Sequence, residues 1–187
     1  MLSIKVDDEI ILKELEIETA AELFALIDSN RNYLREWLGW VDSTKVVDDT
    51  ILYIQTISNE NIFSERFVFE IWYKNMLAGL IDFHSGDSVN LKADIGYWLA
   101  EKFQGCGIMT RACNACLDYA FNSAGLNRVS IKCAEGNKKS IGVPLRLNFK
   151  LEGTEREGQN LNGKFVSLLV YSILKDDWNN RFLESSR

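Results

Sequence analysis

Residues 104–110, Gln-Gly-Cys-Gly-Ile-Met-Thr, stand between a strand-like run, Asp94 to Ala100, and a helix-like run, Met109 to Ser123. Few features restrict a chain more. A glycine-spaced turn that closes a strand and opens a helix fixes the course of both elements and points several backbone N–H groups at one spot. The helix dipole adds positive potential there, which makes the turn an anion site, suited above all to a pyrophosphate. The dinucleotide fingerprint needs G-x-G-x-x-G in an early βαβ unit, and the P-loop needs Gly-Lys-Ser/Thr. This sequence has neither.

The hydrophobic period changes along the chain. Leu2 to Val6 and Glu9 to Leu15 read as short strands split by Asp7-Asp8. Thr19-x-x-Glu22 reads as a capping box for a helix to about Asn30, Tyr33 to Leu38 continue a helical stripe that Gly39 can end, and a further helix is expected from Thr44 to about Asn59. Arg66 to Tyr73 and Met76 to His84 are then β-rich runs around a Lys74-Asn75 turn. Beyond the central helix, whose Ala112, Cys116, Tyr119 and Ala120 form an inward stripe, Asn127 to Ala134 is a strand and Asn137 caps a short helix to about Leu147. Phe149 to Thr154 and Phe165 to Leu174 close the sheet. The expectation is a mixed α/β sheet rather than an all-parallel one. Pro144 lacks an N–H for the residue 140 carbonyl, so either the helix bends with that carbonyl free toward the cleft or it starts near Val143.

A chain of 187 residues with 47% apolar content can bury one good core, and no linker or repeat divides it, so residues 1–187 are expected to form a single domain. No apolar run has the length of a membrane span and the first residues do not lead into a signal-peptide core, which points to the cytoplasm. A net charge of −6 argues against nucleic acid as a direct partner and suits a cationic acceptor. Four cysteines, Cys106, Cys113, Cys116 and Cys133, cluster mid-chain and read as reduced thiols. Cys113-x-x-Cys116 falls inside a helix with no second such pair, so no metal is expected. The single histidine, His84, reads as an ordinary strand-end residue.

Three ordered motifs carry a resemblance. Gln104-Gly105-Cys106-Gly107-Ile108-Met109 resembles the Q/R-x-x-G-x-G/A signature of the GNAT acetyltransferases, with Met109 where Gly or Ala is usual. Asp94-Ile95-Gly96-Tyr97-Trp98-Leu99 resembles the E-x-G-Y-W-L strand of the branch that acetylates N-termini of ribosomal proteins. Asn137-x-x-Ser140 followed by Arg146-Leu147-Asn148-Phe149-Lys150-Leu151-Glu152-Gly153 is similar to that branch's N-x-x-S…R-L-G-F-x-x-E-G segment, with Asn148 for the usual Gly. The resemblance implies the GNAT fold: a mixed, mostly antiparallel sheet flanked by helices, with a splayed central parallel pair, here the Asp94–Ala100 and Asn127–Ala134 strands, and acetyl-CoA in the gap.

It also implies roles. Trp98, Leu99, Gln104, Gly105, Cys106, Gly107, Ile108, Met109, Thr110 and Asn137 would hold acetyl-CoA, with Lys102, Arg111, Lys138 or Lys139 as helper cations. Asp94 stands where the branch has its strand-start general base; being one methylene shorter than Glu, it favours a water relay, with Glu70 and Glu101 in reserve. Ser140 would serve the coenzyme A thiolate with a proton or a hydrogen bond, and Tyr97 is a further donor. The acceptor is expected to be a protein N-terminal amine, read by the Arg31–Trp40 region and a loop from Glu155 to Lys164. A small amine (polyamine or aminoglycoside) and a non-catalytic acyl-CoA-binding module are the competing readings. A homodimer or higher homo-oligomer is an expectation of the resemblance alone.

Overall fold

The computed structural model, which describes residues 2–57, 62–63 and 66–184, folds eight strands into one sheet. They are β1 (Ser3–Lys5), β2 (Ile10–Glu14), β3 (Arg66–Tyr73), β4 (Met76–Asp87), β5 (Lys92–Leu99), β6 (Arg128–Ala134), β7 (Lys150–Leu161) and β8 (Lys164–Leu174). Their spatial order is β1-β2-β3-β4-β5-β6-β8-β7. Every neighbouring pair is antiparallel except β5–β6, which is parallel. The helices are α1 (Ala20–Ser29), α2 (Arg31–Leu34), α3 (Val47–Thr56), α4 (Ile108–Asp118), α5 (Lys138–Arg146) and α6 (Lys175–Glu184).

Strand alternation sorts the side chains into two layers. On one face Phe67, Phe69, Ile81, Phe83 and Ile95 pack in one cluster with Ala112, Cys116 and Leu117 of α4 and Trp178 of α6. On the other, Val68 and Leu80 pack with Leu23 and Ile27 of α1 and Ile54 of α3. Each such side chain contributes about 1.5–3 kcal/mol by leaving water, so the two clusters fix which face of every strand is which.

Several boundaries differ from the sequence reading for identifiable reasons. A 3-10 turn at Ile17–Thr19 precedes α1, so Thr19 already has helical dihedrals and makes no side-chain cap. Its hydroxyl instead reaches the Glu16 carbonyl and the Glu70 carboxylate. The Tyr33–Leu38 stripe is helical only to Leu34. The Thr44 helix begins at Val47; Ser58 and Asn59, at its expected end, lie outside the described residues. The central helix gives way at Tyr119–Ser123 to a π turn. The segment from Glu155 to Lys164 is the end of a β7–β8 hairpin and not a loop.

Candidate active site

Strands β5 and β6 pair at only three positions, Lys92 with Arg128, Ala93 with Val129 and Asp94 with Ser130. Beyond these the strands part, although β5 runs on to Leu99 and β6 to Ala134. The parted edges form a seam in the sheet, and a cavity of about 730 Å³ opens there, lined by Tyr97, Trp98 and Leu99 of β5 and by the glycine turn and α5.

The turn behaves as an anion cradle. Gly105 and Gly107 have φ of 74° and 70°, a left-handed conformation natural to glycine. Gly107 is the N-cap of α4, and no side chain caps that helix, so the N–H groups of its first turn are left to the cavity that Gly107, Ile108, Met109 and Thr110 line. Met109 belongs to the core cluster and is 8% exposed where it lines the cavity. Gln104 is braced by Lys139 Nζ at 2.7 Å and by the Tyr33 hydroxyl, and Arg146 Nε donates to Thr110 Oγ1 at 3.1 Å. Cys106 is exposed and its side chain does not line the cavity.

Of the four expected helper cations, Lys138 and Lys139 line the cavity. Arg111 is drawn away to Asp7 and Glu9, at 2.7 and 3.1 Å, and Lys102 lies over the Phe103 ring. Arg146 also lines the cavity and was missed, since a basic residue in the last turn of a helix carries no positional signal by itself.

The other wall is α5. Asn137 Oδ1 accepts from the Ser140 N–H at 3.1 Å and caps the helix as expected. The helix runs through Ser140 with Pro144 inside it, so it does not start near Val143, but the Ser140 carbonyl is not left free toward the cleft. The Ser140 carbonyl, which Pro144 cannot serve, accepts from the Tyr97 hydroxyl at 2.9 Å. The Ser140 hydroxyl makes two long contacts, 3.4 Å to Tyr97 Oη and 3.4 Å to Cys133 Sγ. Burial first, then the neighbouring Cys133 and Cys113, push the Tyr97 hydroxyl well above its ordinary value, so it stays protonated. Asn148 has φ of 60°, the left-handed turn that glycine supplies elsewhere in the branch.

Asp94 is not brought to Ser140. Ala93, Ile95 and Tyr97 belong to the α4 side of the sheet, and Trp98 packs with the α1–α3 cluster, so alternation puts Asp94, Gly96 and Trp98 on the α1–α3 face. Asp94 sits where the strands begin to part, outside the cavity lining. Glu70 is 2% exposed beneath α1, held by Thr19 and by Trp72 Nε1, which removes it as a reserve base. Among the described residues no group of three His, Cys, Asp or Glu is placed to hold a metal ion.

The cavity fits acetyl-CoA. An uncapped helix N-terminus with Lys138, Lys139 and Arg146 around it suits an anionic pyrophosphate, and the parted strands leave room for an extended arm. The family described as Acetyltransferase (GNAT) domain matches residues 9–150. The chain is 38% identical over 182 residues to YdaF of Bacillus subtilis (strain 168), covering 95% of this chain and 98% of that one. It is 30% identical over 176 residues to the ribosomal-protein-serine acetyltransferase of Escherichia coli (strain K12), covering 93% and 97%. A solved structure of RimL, a ribosomal L7/L12 alpha-N-protein acetyltransferase in complex with coenzyme A, superimposes with a TM-score of 0.88 at 27% identity, over 94% of this chain and 99% of that one. Motifs, seam and relatives therefore agree: the chain belongs to the GNAT acetyltransferase family and uses acetyl-CoA as its cosubstrate.

Proposed function

We propose that the chain acetylates the N-terminal α-amine of a protein, foremost a ribosomal protein, in the cytoplasm, by direct attack of the amine in a ternary complex. The observation that carries this reading is the exposed Trp40 beside Trp98 on the α1–α3 face. Trp40 is 40% exposed and leans on Trp98 with ring centroids 6.3 Å apart, a shelf across which a chain end can lie. A polyamine would be better served by an enclosed acidic pocket. The net charge of −6 favours a cationic acceptor, and an α-amine of pKa about 8 is easier to deprotonate than a lysine of about 10.4. The two relatives named for ribosomal-protein acetylation support the same acceptor class.

The residues divide the work by where they stand. The first turn of α4 holds phosphate, and Asn137 orders α5. Tyr97 spends its only proton on the Ser140 carbonyl, so it positions the helix. Ser140, with two long and weak contacts, keeps a hydroxyl free to turn toward a departing thiolate and protonate it. Asp94, on the acceptor side, draws the ammonium group and begins removing its proton through water.

The test is coenzyme A release from acetyl-CoA with a pool of N-terminal peptides, polyamines and aminoglycosides, with Asp94→Ala as control. Peptide-dependent release that the variant loses is the expected result. Release with polyamines or aminoglycosides alone would replace the protein acceptor by a small amine, and acetyl-CoA binding without any release would make the chain a binding module.

A further inference from the structure

On the acceptor face β4 carries Asp82 and His84 two residues apart, so both side chains leave the same side of the sheet. His84 Nδ1 and Asp82 Oδ1 are 2.7 Å apart. A carboxylate can only accept, so Nδ1 bears the hydrogen, and in the neutral ring Nε2 has the lone pair. Across the β4–β5 ladder His84 pairs with Asp94 and Asp82 with Gly96. Gly96 is what admits the pair: a Cβ there would stand 3.1 Å from Asp82 Oδ2 and 3.2 Å from His84 Cε1. The imidazole and its carboxylate thus lie over bare β5 backbone between Asp94 and Trp98, on the opposite face from Tyr97 and Ser140. The His84 side chain is 31% exposed there.

We propose that His84, held by Asp82, takes up the proton that the acceptor amine must lose, passed on by the water beside Asp94. This rests on the reading above that the amine approaches the seam from the α1–α3 face. One proton leaves the ammonium group for His84 Nε2 and then for solvent. The C–N bond forms, the C–S bond breaks, and Ser140 protonates the departing sulfur while the second N–H proton restores the serine. The chemistry favours imidazole over Asp94 as the final acceptor. Imidazole is the stronger base of the two and so the better match to an amine's proton.

Charges from each neighbouring strand and helix bear on the imidazole. The carboxylates are Asp82 and Asp94. Arg66 of β3 lies 3.8 Å from Asp82, and the Tyr53 hydroxyl of α3 is hydrogen-bonded to Arg66. Arg128 of β6 feels Asp94 but is engaged by Glu152 at 2.5 Å.

The experiment measures kcat and kcat/KM for an N-terminal peptide from about pH 5.5 to 9 with the wild type, His84→Asn and Asp82→Asn. Asparagine can still donate to Asp82 but cannot take a proton. The wild type should lose rate on acidification. His84→Asn should abolish that limb and lower kcat about 10²–10⁴-fold, with acetyl-CoA Kd by calorimetry unchanged. A peptide hydrazide, whose nucleophilic nitrogen is unprotonated across this range, should recover most of the loss, which a misfolded variant would not. A His84→Asn enzyme within about threefold of wild type, with the same loss on acidification, overturns the proposal. If the wild type accepts polyamines and no peptide, the acceptor reading fails, and the same comparison on a polyamine decides His84. No turnover with any amine overturns both.

Discussion

Tyr97→Phe should destabilise the protein through a carbonyl that nothing else in its helix can serve. In an unbroken helix the Ser140 carbonyl would accept from the N–H of residue 144, but that residue is Pro144, and the Tyr97 hydroxyl donates instead at 2.9 Å. Removing the hydroxyl leaves a part-buried carbonyl without its donor, a loss of about 1–3 kcal/mol. For a chain of 187 residues each kcal/mol moves Tm by roughly 2–4 °C, so a fall of about 2–12 °C is expected. The decisive arm is the same substitution in a Pro144→Ala background, where residue 144 regains an N–H. There Tyr97→Phe should cost only the net worth of a redundant bond, about 0.5 kcal/mol, leaving a coupling on the order of 1 kcal/mol. Urea denaturation of the four proteins measures it. The effect of Pro144→Ala alone includes lost packing of a buried ring and cancels in the cycle. Equal costs of Tyr97→Phe in both backgrounds would refute the reasoning.

Three further outcomes follow from groups already placed. Burial, the largest influence and only partly offset by the Thr19 and Trp72 donors, raises the Glu70 carboxyl above 4.5, so the folded state holds its proton longer than the unfolded chain and stability falls as pH rises from 4.5 through the folded value; Glu70→Gln should flatten that slope in denaturation midpoints against pH. Glu152 is held down at about 2, by the Arg128 guanidinium and then the Ser172 hydroxyl, so its contribution is full above pH 4.5 and lost as pH falls toward 2. Because the Glu152 side chain is 42% exposed, Glu152→Gln should remove only about 1 kcal/mol, read as a smaller loss of stability on acidification. Gly107→Ala meets open space but must adopt φ of 70°, about 1–2 kcal/mol of backbone strain, and should weaken acetyl-CoA binding in a calorimetric titration more than it lowers kcat.

The parts of the fold that were legible in the sequence are those where local chemistry leaves little choice. Lys74 and Asn75 do form the β3–β4 turn, both at positive φ, and Asn137 caps α5. Gly105 and Gly107 take the left-handed values that a strand-to-helix turn requires. What was not legible depends on partners distant in sequence. Thr19 matches a capping pattern, but the Glu70 carboxylate, fifty-one positions away, competes for its hydroxyl. Strand β7 is almost wholly exposed, so no hydrophobic alternation announces its length. α6, whose Trp178 is buried in the core, follows β8 without a break, and its polar first turn resembles a chain end. At the site, alternation along β5 alone does not say which face Tyr97 occupies; the two packed layers reveal that it lies opposite Asp94. His84 was unremarkable until Gly96 opened the space above β5 for it.

Among the described residues, three ladder pairs and the Leu91 carbonyl, which accepts from the Asn127 and Arg128 N–H groups, join the five strands before the seam to the three after it. Such a sheet behaves as two stiff plates on a short hinge. A molecule laid along the gap bridges both plates, so filling the site mends the sheet as well as supplying the reactant, and unfolding resistance rises with cosubstrate concentration by mass action.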